Sequence, residues 1–288
     1  MTTTITAPPV DLRPTTDTAV TRPAWRSVFS TLTGRRFVLS AHTPREILVP
    51  LLTPILFADV LAPALAKSIP ATSGIDYQSF VAVGTIGLLV PLSCILGGIG
   101  MIVDRDSGAQ RDLLAAPAPR SLMVLGNLTV ALAVSLFQVI ALLGASLARG
   151  ATFTTDVAGW LWAAAAVVGL ATFMHGLAEI LAARIKKQEE YVGAAPPVAL
   201  LPWFLAGSFF PISAMPAGLT AIAKLLPVTH ALALLRYGLV DHNGHGLHDI
   251  WGMTNTTAMA TLSLLVVAMF AIGVLALSTR VFTRAAID

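Results

Sequence analysis

Long apolar runs dominate this sequence, and each is close to the length that one helix needs to cross a lipid bilayer. About 20 helical residues are required to span a hydrocarbon core roughly 30 Å thick. Six stretches satisfy this requirement: Glu46–Ala66, Phe80–Val103, Leu122–Leu147, Val157–Ala183, Val192–Phe210 and Thr257–Ser278. The sequence therefore predicts an all-α membrane protein in which a single domain, residues 22–288, contains six transmembrane helices.

The scarcity of charge supports this prediction. Only 11% of the 288 residues are charged and 56% are hydrophobic, whereas soluble domains carry roughly 25% charged residues. Lipid must therefore cover much of this protein. The single cysteine, Cys94, lies inside an apolar run, and an intrachain disulfide is excluded. Residues 1–21 are rich in Thr and Pro and contain no apolar segment, so we expect them to form a disordered cytoplasmic tail.

The basic residues indicate the orientation of the helices. With the N-terminus inside, the inner segments hold fourteen basic residues and the outer segments hold four, and such an excess is typical of cytoplasmic loops. The inner ones are Arg13, Arg22, Arg26, Arg35, Arg36, Arg45, Arg105, Arg111, Arg120, Arg184, Lys186, Lys187, Arg280 and Arg284, and the outer ones are Lys67, Arg149, Lys224 and Arg236. We therefore predict that both termini are cytoplasmic. Because these residues form short clusters between apolar runs, no nucleic-acid partner is expected.

A basic amphipathic segment precedes the first span. Apolar residues, among them Trp25 and Phe29, recur at helical spacing, and polar residues that include Arg26 and Arg36 lie opposite them. Such a pattern is typical of a helix that lies in the membrane interface. We therefore predict an interfacial helix at the inner surface, with Trp25, Arg26, Phe29 and Arg36 in contact with membrane lipid or a docked partner.

A charged loop, Asp104–Arg120, separates the second and third runs. Ser107 and Gln110 have the spacing of a capping box, and Pro117 would stop the helix that they start. We therefore expect a short charged helix that projects into the cytoplasm, with a solvated connector as the alternative. The chain has no GxxxxGKS or GxxxxGKT phosphate loop. No catalytic residue is assigned, and any ATP and Mg²⁺ would be bound by a separate subunit.

The same loop resembles a motif of the type-2 ABC exporter permeases, which read E-R-E-x-G-T-x-x-x-L-L-x-x-P-x-x-R at this place. The positions in register are Asp104, Arg105, Asp106, Gly108, Leu113, Leu114, Pro117 and Arg120. The departures are Asp for Glu at 104 and 106, and Ala109 for Thr. The resemblance implies that this loop is a coupling helix that contacts a cytoplasmic ABC ATPase subunit. On that basis the coupling residues are Asp104, Arg105, Asp106, Gly108, Arg111, Leu113, Leu114 and Pro117.

A second resemblance lies after the fifth run. The sequence Gly207-Ser-Phe-Phe-Pro211-Ile-Ser-Ala-Met-Pro216, followed by Leu226-Pro227-Val228-Thr229 and Arg236, is similar to the family pattern G-x-F-F-P-x-x-x-x-P…N-P-x-T-Y…R, with Leu226 in place of Asn and His230 in place of Tyr. An unbroken helix does not accommodate these prolines, because proline lacks the backbone N–H. A pair of re-entrant outer helices between spans five and six would let the apolar neighbours stay out of water. The resemblance implies an element near the exit of the transport path, with Phe209, Phe210, Pro211, Pro216, Pro227 and Thr229 assigned to it.

Three ionisable residues lie within the predicted spans. His175 and Glu179 are four residues apart on one face of the fourth span, and Asp59 lies in the first. Ionisable groups at such depth usually face the interior of a helix bundle. Since Glu179 is close to Arg184, a structural pair competes with a proton-relay or substrate-contact role. For Asp59 the alternatives are an anchor at the outer interface and a contact with the transport cavity.

The segment Asp241–Asp249 contains His242, His245 and His248, and histidine is a common metal ligand. Two glycines among them predict a flexible loop, and no HExxH motif is present. We therefore interpret the segment as a solvated loop and assign no metal site, with metal binding as the alternative.

The leading hypothesis is the permease subunit of an ATP-driven exporter, a multi-pass protein of the bacterial plasma membrane. Two copies, or one copy with a related partner, would form the pathway. The short chain and its small outer loops resemble the permeases of daunorubicin-type drug and lipid exporters. Because aromatic residues are sparse in the middle of the spans, an amphipathic drug or lipid-like substrate is favoured over a polysaccharide. The other hypotheses are a proton-coupled secondary transporter that uses His175 and Glu179, and a membrane metalloenzyme that uses the three histidines.

Overall fold

The computed structural model describes residues 25–42, 48, 51–52, 55–56, 60, 77–116 and 119–285. Within them every regular element is helical. In chain order the helices are α1 Trp25–His42, α2 Tyr77–Gly97, α3 Ile99–Asp106, α4 Ala109–Ala115, α5 Arg120–Ala148, α6 Val157–Arg184, α7 Gln188–Leu205, α8 Ala217–Leu225, α9 Pro227–Leu239, α10 His245–Trp251 and α11 Thr256–Ala285, with a 3₁₀ turn at Ile212–Ala214. The N-terminal tail, most of the first predicted span, Asp59 and Pro117 lie outside the described residues.

Four stretches of the described chain are helices long and apolar enough to cross a membrane. They are Tyr77–Asp106, which joins α2 and α3, then α5, α6 and the part of α11 that ends at Phe282. These stretches coincide with the second, third, fourth and sixth predicted spans. The prediction of an all-α, multi-pass membrane protein is therefore confirmed, whereas the total of six spans and the location of the termini stay predictions.

The fifth predicted span corresponds to α7, but the helix has different limits. It begins at Gln188, with Glu189 and Glu190 in its first turn, and it ends at Leu205. Helix α7 is not among the helices that are long and apolar enough to cross a membrane. The predicted end at Phe210 is wrong, because Gly207 adopts a left-handed conformation with φ of 78° and the chain turns there.

Two short helices, α8 and α9, follow the 3₁₀ turn and are bent by 84° relative to each other. Leu226 has an extended backbone between them, and Pro227 occupies the first turn of α9, a position where the missing N–H of proline leaves no bond unmade. The bend is compatible with a re-entrant pair and equally with one broken span. The two short helices expected from the prolines are thus present, and their re-entrant placement stays a prediction.

Helix α6 lies at the centre of the bundle and packs against α11, α9 and α2. Asp156 caps its first turn, where Oδ1 accepts the backbone N–H of Gly159 at 2.7 Å. A Cβ at Gly159 would meet the carbonyl oxygen of Gly238 in α9, and one at Gly176 would meet Val274 in α11. Small residues allow this close approach of helices, on which helix association in lipid depends. The hydrophobic core therefore extends along α6.

Polar residues gather at both ends of this bundle. Asp104 and Phe80 lie at opposite ends of the α2–α3 stretch, about 36 Å apart along the helix axis at about 1.5 Å per residue. Arg35 of α1 contacts Asp104, and Arg236 of α9 contacts Phe80. We call the first region, formed by α1, α3, α4 and the last turn of α6, the basic end. The second, formed by the first turn of α2, residues 206–216, α9 and α10, is the cleft end.

Candidate functional site

The predicted coupling loop is a helix–turn–helix built around Gly108. Ser107 ends α3, since its backbone N–H bonds to the carbonyl oxygen of Val103 and its hydroxyl donates to that of Asp104. Gly108 then takes a left-handed conformation, φ 81°, and precedes α4 without a side-chain cap. The predicted capping box of Ser107 and Gln110 is therefore wrong, because Ser107 is already used at the end of α3. The predicted short charged helix is present as α4.

Asp104 links this loop to α1. Its carboxylate accepts two hydrogen bonds from Arg35, at 2.8 Å from Nη2 and 3.3 Å from Nη1. The exposed fractions of the two side chains are 19% for Asp104 and 35% for Arg35, so water screens the pair only in part. A bidentate pair of this kind fixes orientation as well as distance. The sequence did not single out Arg35, although its position beside Arg36 was a usable signal.

The expected pattern of α1 is wrong at Arg36. The amphipathic prediction put Arg36 on the polar face, away from the apolar residues, but the side chain faces the bundle and Nη2 donates to the carbonyl oxygen of Gly97 at 3.1 Å. A Cβ at Gly100 would occupy the place of the guanidinium. Gly100 thus makes room for the guanidinium. At about 100° per residue Arg36 lies roughly 20° from both Trp25 and Phe29, so helical spacing itself places it on their face and not opposite them. Of the other predicted residues, Trp25 and Arg26 are exposed and Phe29 is half-buried.

Arg105 joins the loop to α6. Its guanidinium donates to three backbone carbonyl oxygens at the end of that helix: Ala182 at 3.0 Å, Ile185 at 3.1 Å and Lys186 at 2.8 Å. The last carbonyls of a helix have no partner within the helix, and they carry partial negative charge that favours a cation. Arg105 therefore satisfies the end of α6 and holds α3 against it.

The remaining predicted coupling residues point outward or lie at the surface. Asp106 and Arg111 are exposed, and Leu113 and Leu114 are half-buried. The predicted set is thus divided between two positions. Asp104 and Arg105 bind within the chain, whereas Arg111 is exposed and Asp106, 4.0 Å from Arg105 Nε, is also exposed at the surface. No pattern in the sequence predicts this division.

At the cleft end, Arg236 organises the turn after α7. It is 7% exposed, lies over the Phe80 ring with the guanidinium carbon 3.6 Å from the ring centroid, and donates from Nη2 to the carbonyl oxygen of Ser208 at 2.9 Å. A Cβ at Gly84 would meet the same carbonyl. Trp203 donates from Nε1 to the carbonyl oxygen of Gly84 at 2.8 Å. One helical turn of α2, from Phe80 to Gly84, therefore holds both Trp203, which precedes the chain reversal after α7, and Ser208, which follows it.

The residues assigned to a re-entrant element are distributed around this turn. Phe210, Pro211 and Pro216 are exposed, whereas Pro227 and Thr229 are buried. The carbonyl oxygen of Phe209 accepts a hydrogen bond from the Tyr77 hydroxyl at 3.2 Å, and its ring packs edge-on against Trp203. His230, at the position where the family pattern has Tyr, lies between the carbonyl oxygen of Lys224 and the Ser263 hydroxyl, at 3.0 and 3.2 Å.

His175 and Glu179 lie together inside the bundle. Their side chains are 7% and 1% exposed, and His175 Nε2 is 3.3 Å from Glu179 Oε1. That separation is within ion-pair distance, although the angles do not make a hydrogen bond, and both carboxylate oxygens lack a hydrogen-bond partner. The expectation that the pair faces the interior is confirmed.

The histidine-rich segment is helical where a flexible loop was expected. Helix α10 covers His245–Trp251 because Gly244 starts it in a left-handed conformation and Asp241 accepts both the backbone N–H and the Nδ1 side of His245, at 2.7 and 2.8 Å. His242 and His248 are exposed. Within the described part of the chain, no three side chains of the His, Cys, Asp and Glu types are grouped so that they could hold a metal ion.

A family model described as ABC-2 type transporter matches residues 27–240. Comparison with curated proteins finds no match. The matched region runs from α1 to the end of α9, so it includes the basic end, the central helix α6 and the turn around Arg236. It covers well over half of the chain, and the chain therefore belongs to the ABC-2 type transporter family, whose membrane domain is the permease component of an ABC transporter.

Proposed function

We propose that this chain is the membrane subunit of an ATP-driven exporter and that separate ATPase subunits dock on its basic end. Membership of the family implies association with an ABC ATPase. The observation that carries the proposal is the division within the coupling loop. Arg111 and Asp106 are exposed on it, while Asp104 and Arg105 fasten the loop to α1 and α6. A docking surface needs both properties, because it must be accessible and must transmit movement.

The contacts suggest how movement would travel. An ATPase that pushes on α4 would displace α3 through the Gly108 turn, and Arg105 would pass the displacement to the end of α6. Because α6 packs against α11, α9 and α2, a shift of α6 would move most of the bundle. ATP and Mg²⁺ would be bound by the partner, and this chain would supply binding surface and pathway only.

The substrate that we favour is an amphipathic drug or a lipid-like molecule. Sugar conduits favour aromatic linings, and here Phe173 is buried and packs edge-on against Phe270, which is itself exposed, with ring centroids 6.1 Å apart. Phe137, another aromatic of the predicted spans, is also exposed. A second copy of the chain, or a related permease, would complete the pathway between two bundles. A polysaccharide remains the alternative substrate within the same family.

Co-purification with the cognate ATPase tests the proposal. The wild-type chain should retain the ATPase through affinity purification, and inside-out vesicles that contain both should take up an amphipathic fluorescent dye when ATP is added. Arg111→Glu should abolish both while leaving the melting temperature unchanged. The control is Arg149→Glu, an exposed position that follows α5 and lies beside Gln78 of α2, far from the basic end. Undiminished ATPase binding by Arg111→Glu would reject this docking surface, and ATP-independent uptake would reject the exporter.

A proton-coupled secondary transporter is the second candidate, and the buried His175–Glu179 pair favours it. A carboxylate that is 1% exposed and has no hydrogen-bond partner is costly within a bundle unless it is protonated or paired. Glu179→Gln and His175→Gln should abolish uptake if the pair carries protons. Dye uptake driven by a pH gradient in vesicles without any ATPase would support this candidate; uptake that needs only the ATPase and survives Glu179→Gln would eliminate it.

A further inference from the structure

Arg236 is a buried cation whose set of partners is incomplete. Its Nη2 bonds to Ser208 and its plane lies over Phe80, but Nε is buried without a hydrogen-bond partner. No described carboxylate lies within 4.0 Å of the guanidinium. A buried charge and an unmade hydrogen bond both cost free energy. A group that supplied an oxygen to Nε would recover part of that cost.

The nearest acidic side chains are already engaged. Both carboxylate oxygens of Asp241 accept hydrogen bonds from His245, and Oδ2 of Asp249 accepts one from Ser213 at 3.0 Å. These carboxylates offset the charge of Arg236 at longer range and leave its Nε–H open. They also line the same cleft, so they would oppose a ligand that carries several negative charges.

A cleft lies beside the open donor. It is partly open to solvent and is lined among others by Phe80, Pro211, Ile212, Thr229, Ala233 and Arg236. The hydroxyl of Thr229 is a second buried group without a partner, on a side chain that is 2% exposed. Thr229 and Arg236 share one face of α9, two turns or about 10.5 Å apart. The small side chain of Ala233 lies between them, so the wall joining the two polar groups is apolar.

We propose that this cleft binds an amphiphile through a singly charged oxyanion, a phosphate diester or a carboxylate. Arg236 Nε–H donates to the oxyanion, and Thr229 bonds to a further oxygen elsewhere in the same molecule, such as an ester oxygen, because the oxygens of one phosphate or carboxylate group are too close together to reach both residues. Guanidinium groups match the geometry of such oxyanions. Inorganic phosphate is too small to reach both positions. Two sources share this chemistry: the headgroup of a membrane phospholipid, and the chain-end carboxylate of an acidic amphiphile. The site needs no ATPase, so it does not rest on the proposed function.

The test is binding to the purified full chain in dodecyl maltoside, without ATPase. The probes are dihexanoylphosphatidylglycerol, monododecyl succinate (a carboxylate with an ester oxygen a few bonds away), neutral monododecanoylglycerol and inorganic phosphate, with affinity measured by thermophoresis and confirmed by thermal shift. We expect saturable binding of one or both of the charged amphiphiles. Monododecanoylglycerol and inorganic phosphate should bind at least tenfold more weakly. Preference between the charged probes identifies the source of the oxyanion.

Variants locate the site. Thr229→Val removes a hydroxyl that has no partner in the protein, so folding should be unaffected while affinity falls about fivefold, as expected for one neutral hydrogen bond. Thr172→Val is the matched control, because the Thr172 hydroxyl bonds to its own helix at Val168. Arg236→Lys keeps the charge and should lower affinity at least tenfold. Absence of binding by both charged amphiphiles, equal binding of inorganic phosphate, or unchanged affinity in Thr229→Val and Arg236→Lys would overturn the proposal.

Discussion

Replacing Arg105 with alanine is expected to weaken the basic end without removing the surface to which an ATPase would bind. The guanidinium makes three hydrogen bonds of 2.8–3.1 Å to carbonyl oxygens of residues 182, 185 and 186. A hydrogen bond from a charged group contributes about 1.5–3 kcal/mol, and the contributions are not additive. Because the Arg105 side chain is 31% exposed, water compensates part of the loss. We therefore expect the free energy of unfolding to fall by about 2–4 kcal/mol, including the favourable charge at the helix end.

The assay compares Arg105→Ala with Arg105→Lys and Arg111→Ala. The free energy of unfolding is measured by titration with SDS from mixed micelles, and ATPase binding by co-purification. Arg105→Lys should recover part of the stability, because an ammonium keeps the charge but cannot reach three carbonyls in a fixed fork. Arg111→Ala should leave stability unchanged and lose ATPase binding. Unchanged stability in Arg105→Ala, or a marked loss of stability in Arg111→Ala, would refute the division of the loop into anchoring and docking residues.

The remaining predictions concern the interior around the α2–α3 junction. Gly98→Ala should destabilise the protein by about 1–3 kcal/mol, because its Cβ would overlap the Tyr191 hydroxyl. The control is Gly97→Ala, whose Cβ meets nothing and which should change the SDS unfolding midpoint little. Similar midpoints for both variants would contradict this packing. Tyr191→Phe removes a buried 2.6 Å hydrogen bond to the carbonyl oxygen of Ile95 and should cost about 1–3 kcal/mol in the same titration; a midpoint equal to wild type would show that the bond is dispensable. Cys94 is 2% exposed, so a membrane-permeable maleimide should label it only on unfolding; rapid labelling of the folded protein would show that the site opens.

The class of fold could be predicted from the sequence because it depends on the summed hydrophobicity of consecutive residues. The length of an apolar run sets whether a helix can cross lipid, and the four long helices agree with four of the predicted runs. The prolines at 211, 216 and 227 indicated a break, and the chain bends there. The limits of α7 were less predictable. Apolar residues continue beyond Leu205 in the sequence, and only the left-handed backbone of Gly207 ends the helix.

The candidate sites were predictable in location and not in detail. Family motifs placed the coupling loop and the turn after α7, but the roles of individual residues depend on neighbours that are distant in sequence. Arg36 was assigned to a polar face, yet its guanidinium fills the space left by Gly100 and bonds to the carbonyl oxygen of Gly97. Ser107 was assigned to start a helix, and it ends one instead.

By itself, the sequence determined that this protein is a helical, multi-pass membrane protein and where its polar loops lie, because hydrophobic length and proline chemistry act locally. Only the tertiary structure decided which arginines are anchors. Arg236, Arg36 and Arg105 each bond to a backbone carbonyl, at Ser208, Gly97 and Ala182, that lies 28, 61 and 77 residues away along the chain. Every residue has a backbone carbonyl, so the sequence does not show which carbonyl oxygen will accept a hydrogen bond from a guanidinium, here at 2.9–3.1 Å. Packing positions the helix ends and the glycines, and these determine which carbonyl oxygens the arginines reach.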